Sequence, residues 1–177
     1  SVASRGLGDV YKRQVHGYGY KVGAAISSHP DTPVISFTGG TVTGAKIAEV
    51  AAPMFKKLSL ELGGKNPNII FADANFEDAL EMAVKASFRN QGQICLCGSR
   101  LFVEESSYQK FKTAFIEKTK QLKVGASKEN NDLGAVVSKD HMHKILQKIE
   151  IAKKEGGKIL WGGERVILDG ELSEGYY

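Results

Sequence analysis

The chain has 177 residues, 42% hydrophobic and 25% charged, with a formal net charge of +4 at pH 7. That balance excludes disordered, collagen-like and membrane-spanning classes and points to a globular protein with a core of its own. The lysines are spread among glutamates and form no block, so the positive charge reads as solvated surface and no nucleic-acid partner is expected.

Residues 1–14, SVASRGLGDVYKRQ, carry no sustained period and do not join naturally to the segment that begins at Val15. They read as a leader foreign to the fold, of the kind an adapter or vector contributes. From His29 onward short apolar runs alternate with amphipathic segments, the pattern of an α/β fold with crossover helices. A strand is expected over 34–37. Glycines and threonines come after it, and then Ile47, Val50, Ala51 and Met54 recur at helical spacing until Pro53 and a lysine pair close the segment.

Two further extended runs are expected over 58–62 and 68–71, with Gly63 and Gly64 between them. Asn75 is placed to cap a helix whose Ala79, Leu80, Ala83 and Ala86 make a narrow packing face. After a strand over 101–103, Ser106 or Ser107 is expected to cap a helix burying Tyr108, Phe111, Phe115 and Leu122. Ser138 opens another, with a stripe of Met142, Ile145, Leu146, Ile149 and Ala152. Gly156 and Gly157 supply its left-handed stop before a strand over 158–161. The last residues, 174–177, read as the start of another strand, and the chain reads as truncated at both ends.

Three segments carry residues suited to chemistry. Gly39-Gly40-Thr41-Val42-Thr43-Gly44 lies between a strand and a helix, where backbone N–H groups and the helix dipole favour a phosphate. Ala45 and Lys46 come after Gly44 where a P-loop needs Lys and then Ser or Thr, so the NTPase pattern fails. In Leu60-Glu61-Leu62-Gly63-Gly64 a carboxylate sits among apolar residues. Burial there would raise its pKa and suit it to general-base work; an edge-strand glutamate paired with Lys57 or Lys65 is the simpler reading of that motif alone.

The third segment is Phe88-Arg89-Asn90-Gln91-Gly92-Gln93-Ile94-Cys95-Leu96-Cys97. A thiol leaving a helix among N–H donors can be nucleophilic and can have an oxyanion stabilised beside it, although a lone cysteine is more often a small buried hydrophobe. Cys95 and Cys97, one residue apart, are poorly placed to bridge and read as reduced thiols. With four scattered histidines they lack metal-site spacing, and no metal is expected. No charged-then-apolar leader and no long apolar run is present, so the protein reads as cytoplasmic, without a membrane partner.

In this order and at this spacing, the three motifs resemble the aldehyde dehydrogenase superfamily. Residues 88–95 look like its cysteine motif, 60–67 like its glutamate motif, and 37–41 like its cofactor loop. The resemblance implies an incomplete aldehyde dehydrogenase fold: the end of a Rossmann-like NAD-binding domain over 15–61, then the first part of a catalytic α/β domain over 62–177. It implies NAD as cofactor, an aldehyde as substrate, Cys95 as nucleophile and Glu61 as the base that activates water. Gly19 and Gly23 resemble glycines near the adenine; Gly39, Gly40 and Gly44 resemble the turn under the phosphates; Leu62 resembles a residue whose backbone lies near the nicotinamide.

Two positions depart from the family's pattern, Gly40 where a serine is usual and Tyr20 where a proline is usual. Residues 57–67 and 94–97 narrow the resemblance to members acting on muconic semialdehydes, with betaine aldehyde enzymes similar through the same segments. The family's oxyanion asparagine, ribose-binding lysine and nicotinamide-orienting glutamate have no counterpart in these 177 residues. The chain alone is therefore expected to make no turnover, and a complete parent is expected to be a homodimer or homotetramer. A non-catalytic binding or structural protein on the same fold remains the alternative.

Overall fold

The computed structural model describes residues 13–177. The expected foreign leader over 1–14 lies almost wholly outside them. The chain divides into two compact units, the first ending at Gly63 and the second beginning at Gly64.

The first unit is a βαβ crossover. A wide helical turn over Gly19–Gly23 runs into a short helix, α1 (Ala24–Ser28). β1 (Val34–Gly39) and β2 (Lys57–Leu62) pair in parallel, with Ser36 opposite Ser59 and Gly39 opposite Leu62. Parallel strands need a long crossover, which α2 (Thr41–Ala51) and a tight turn over Ala52–Met54 provide. β1 runs two residues beyond its expected end because Thr38 and Gly39 still have partners in Glu61 and Leu62. At its other end β2 starts at Lys57, one residue before the expected boundary, because Lys57 already pairs with Val34.

Ala51, the last residue of α2, is fully buried, and Ile35 is buried on β1. Lys56 is buried too, which would be costly for a bare ammonium. Its Nζ donates to the carbonyl of His29 at 2.5 Å, tying the end of the crossover to the loop before β1.

The second unit repeats the plan. β3 (Pro67–Ile70) and β4 (Arg100–Val103) pair in parallel, Pro67 opposite Arg100 and Ile70 opposite Val103. Between them runs α3 (Phe76–Phe88), started by Asn75, whose side chain accepts from Asp78 N–H at 3.3 Å. α4 (Glu105–Lys120) comes directly after β4. Leu80, Ala83 and Phe111 form the core, with Ile70, Phe76, Leu101, Val103 and Phe115 packed around it. The ring of Phe111 meets Phe76 edge-on at 5.8 Å and stacks on Phe115 at 6.3 Å. Burying a side chain of that size contributes about 3 kcal/mol.

Four expectations fail here. α4 starts before Ser106, because Glu104 is already fixed: its carboxylate accepts from Ala72 N–H at 2.8 Å and its own N–H donates to Ile70 O at 3.0 Å. Both serines therefore fall in the first turn and hydrogen-bond Glu104 instead of capping. Tyr108, one turn before Phe111, is 43% exposed. The apolar run over 158–161 finds no strand partner among the described residues and is not a strand, and 174–177 is not a strand either, although Tyr176 O accepts from Val136 N–H at 2.9 Å and Tyr177 O from Val166 N–H at 3.1 Å.

α5 (Lys139–Lys154) begins at Ser138, whose side chain accepts from His141 N–H at 3.2 Å. It ends in a paired stop, Gly157 N–H to Ala152 O at 2.8 Å and Gly156 N–H to Lys153 O at 3.1 Å, with Gly156 at φ 91°. Of its apolar stripe only Met142 is buried, and Ile145 is 39% exposed. No helix of the described residues is long and apolar enough to cross a membrane.

Candidate functional site

The cysteine loop is built at the exit of α3. The backbone turns left-handed at three successive residues, Asn90 (φ 51°), Gln91 (φ 53°) and Gly92 (φ 70°). Glycine and, to a lesser degree, asparagine tolerate that region, whereas Gln91 costs on the order of 1–2 kcal/mol there. The amide of Gln91 pairs with the backbone of Gly134, which helps to hold the bend. The loop rejoins the fold where Gly98 N–H donates to Ala86 O at 2.9 Å. A Cβ on Gly98 would stand 3.0 Å from Asn68 Cβ, so the chain passes close under β3 at that point.

Between these anchors the two thiols part company. Cys97 is buried, its Sγ 3.9 Å from Arg89 O, while Cys95 is exposed, and both are free. Cys97 N–H closes a turn onto Ile94 O at 2.9 Å, which leaves Cys95 at the turn's second position. Among the described residues nothing accepts from the N–H of Cys95 or of Leu96. Asn66 holds the loop from below: its Nδ2 donates to Cys95 O at 2.6 Å and to Cys97 O at 3.0 Å. The motif reading missed this role, because a bond across 29 and 31 positions leaves no periodic trace. An exposed sulfur beside an unpaired N–H is an arrangement that can add to a carbonyl and stabilise the resulting oxyanion.

A pocket of about 450 Å³ lies in the same unit, lined by Phe88, Phe115, Leu122, Leu133 and Trp161 among others, and Cys95 is not part of its wall. No group of three or more His, Cys, Asp or Glu suited to a metal occurs among the described residues.

In the first unit the strand register gathers most of the other expected residues. Glu61 pairs with Thr38 and Leu62 with Gly39, so the ends of β1 and β2 carry Gly39, Glu61 and Leu62 side by side. Leu62 reaches over Gly44, where a Cβ would come within 2.8 Å of its Cδ2. The burial that would have favoured Glu61 as a base is not found: Leu60 and Leu62 are half-buried and Glu61 is exposed. Alternation explains this, since successive strand residues face opposite sides and the apolar neighbours cover the face that Glu61 does not use.

Gly40 precedes α2 in an extended conformation, φ −77° and ψ 147°, with open space where a Cβ would lie. Its carbonyl accepts from Thr43 and Gly44 N–H at 3.0 Å each, and the N–H groups of Thr41 and Val42 are left unpaired among the described residues. Those donors at a helix start fit a dinucleotide phosphate. Gly19 and Gly23 flank Tyr20, Lys21 and Val22 in the turn before α1, and neither has an atom within 4 Å of its Cβ position. Tyr20 is 72% exposed and stacks on Tyr18 at 5.5 Å.

Comparison with known proteins adds three findings. Residues 8–177 match the aldehyde dehydrogenase family. The 2-aminomuconic semialdehyde dehydrogenase of Danio rerio is 49% identical over 166 residues, which are 92% of this chain and 34% of that protein; the Mus musculus protein of the same name is 50% identical over 149 residues, 84% and 31%. A crystal structure of betaine aldehyde dehydrogenase from Staphylococcus aureus in complex with NAD+ superposes with a TM-score of 0.87 at 40% identity, covering 92% of this chain and 32% of that one. The chain thus spans about a third of the length of the curated relatives it matches.

Proposed function

The chain belongs to the aldehyde dehydrogenase family, and from that premise we propose that the whole protein carrying it oxidises an aldehyde to the carboxylate, with Cys95 as nucleophile and Glu61 as general base. The observation that carries the reading is the exposed Cys95 at the second position of its turn, with its own N–H unpaired among the described residues. With its proton given up to water, the thiolate sulfur forms a bond to the aldehyde carbon as the carbonyl π pair moves to oxygen, and the Cys95 N–H donates to the resulting oxyanion. NAD, when bound, supplies the acceptor for the hydride that leaves that carbon. The thioester left on Cys95 then takes up water, whose proton passes to Glu61 as the carbon–sulfur bond breaks.

Gly39, Gly40 and Gly44, with the N–H groups of Thr41 and Val42, are the residues that would hold the cofactor's phosphates; Leu62 would lie by the nicotinamide, and Gly19 and Gly23 by the adenine. The unpaired donors at the start of α2 support that assignment. For the substrate we propose a muconic semialdehyde, supported by the 49% and 50% identity to 2-aminomuconic semialdehyde dehydrogenases against 40% to a betaine aldehyde enzyme. The turnover is proposed for the whole protein as a homodimer or homotetramer, and none for the 177 residues by themselves.

The test is NADH formation by the whole protein with a muconic semialdehyde and with betaine aldehyde, before and after Cys95→Ala. Turnover on the semialdehyde, with a loss on the order of 10⁴-fold or more in the variant, is the expected result. Turnover that survives Cys95→Ala rejects the nucleophile, and a preference for betaine aldehyde rejects the substrate.

A further inference from the structure

Asn66 stands immediately before β3, and its main chain is tied into the sheet: Asn66 O accepts from Arg100 N–H at 3.1 Å, and Lys65 O accepts from Arg100 Nε at 2.9 Å. From that fixed base its single amide nitrogen spans two carbonyls of the cysteine loop, Cys95 O at 2.6 Å and Cys97 O at 3.0 Å.

Peptide planarity turns these two bonds into control of Cys95. In the peptide joining Ile94 to Cys95, the carbonyl accepts from Cys97 N–H, so it points into the turn and the Cys95 N–H points out of it. The next peptide, between Cys95 and Leu96, is the middle one of the turn. Its rotation is what separates the two commonest turn types, and its carbonyl is the one Asn66 holds. With both flanking planes fixed, φ and ψ of Cys95 are fixed, and with them the angle between its N–H and the Cα–Cβ bond that carries the thiol.

We propose that Asn66 is a positioning residue for Cys95: by clamping the carbonyls of Cys95 and Cys97, its amide keeps the Cα–Cβ bond that carries the thiol at the angle to the backbone N–H that lets a carbonyl attacked by the sulfur find its oxyanion donor. The inference rests on the reading of Cys95 as nucleophile, and it requires nothing of NAD or Glu61.

Two reagents separate positioning from mere support of the loop. p-Nitrophenyl acetate is attacked at its carbonyl carbon: a carbon–sulfur bond forms, an oxyanion develops, and p-nitrophenolate leaves with the electron pair. Iodoacetamide is attacked at a saturated carbon and releases iodide, with no oxyanion at any stage. In the whole protein, both rates at Cys95 are measured for the parent, for Asn66→Asp, which keeps the shape but cannot donate as a carboxylate, and for Asn66→Ala. Cys95→Ala gives the background, and 5,5′-dithiobis(2-nitrobenzoate) reports whether Cys97 stays covered.

The expected result is a fall of about 10- to 100-fold in acylation, with alkylation changed by less than about twofold and Cys97 still protected. An unchanged ratio of the two rates overturns the proposal. So does a proportional fall in both rates with Cys97 exposed, in both variants, since that is the signature of a loop that has only lost its support. A parent with no NAD-dependent turnover but with this selective effect would sink the dehydrogenase reading and leave the clamp standing; full turnover with an unchanged ratio would do the reverse.

Discussion

The turn that leads into α2 and the loop that carries Cys95 both present backbone N–H groups unpaired among the described residues, yet they are held in different ways. The turn needs little but backbone: β1 ends, Gly40 accepts two bonds from the first turn of α2, and no side chain caps the helix. The cysteine loop is held by side chains and by strain, with the amides of Asn66 and Gln91, the buried Cys97 and left-handed Asn90 and Gln91 all taking part. A backbone-built site tolerates exchange wherever a Cβ has room. One held by side chains is changed by a single atom.

The cores differ in the same sense. Phe111 is 1% exposed and touches helix, strand and two other rings, whereas the first unit rests on small or marginal residues, Ala51 and Ile35. Phe111→Ala is therefore expected to cost about 3–5 kcal/mol and Ile35→Ala about 2 kcal/mol. Urea unfolding monitored by circular dichroism should show the first as a large fall in midpoint. Equal midpoints for parent and Phe111→Ala would mean that the second unit's core has been misplaced.

Next in size is Glu61→Gln, which keeps the β2 register and removes only the carboxylate. Stopped-flow absorbance should show a first burst of NADH at close to the parent rate, and then a steady state slower by about 100- to 1000-fold. Loss of the burst itself would assign Glu61 to an earlier step. The smallest change is expected at Gly40→Ser, where the backbone is already extended and nothing lies within 4 Å of the new Cβ. Stability should rise by about a few tenths of a kcal/mol at most, and the apparent affinity for NAD should hold or tighten. A marked loss in either would show that the turn is less open than its backbone suggests.

What could be read in the sequence was what is local. Asn75 and Ser138 announce their helices because a cap bonds within three residues, and Gly156-Gly157 announces a stop because only glycine is comfortable at φ 91°. The order of strand, helix and strand in each unit comes from apolar runs alternating with helical stripes. Misreadings came where a distant partner decided. Glu104 preempts Ser106 and Ser107 through a bond to Ala72, 32 residues back. The run over 158–161 has strand composition but no strand neighbour among the described residues. Glu61 looks enclosed when its neighbours are counted, but alternation puts them on the other face. Asn66 lies inside the glutamate motif, yet its hold on Cys95 depends on a β3–β4 pairing that no window of sequence reveals.

The central claim is that Cys95 becomes acylated, and it is tested most directly by trapping the acyl group. The whole protein bearing Glu61→Gln is mixed with NAD and a muconic semialdehyde, quenched in acid and cut after Arg89 and Arg100, which releases residues 90–100 with both cysteines. Fragment-ion mass spectrometry should place the acyl mass on Cys95 and leave Cys97 unmodified. NADH formation with no acyl group on Cys95, or with the group on another residue, would contradict the account.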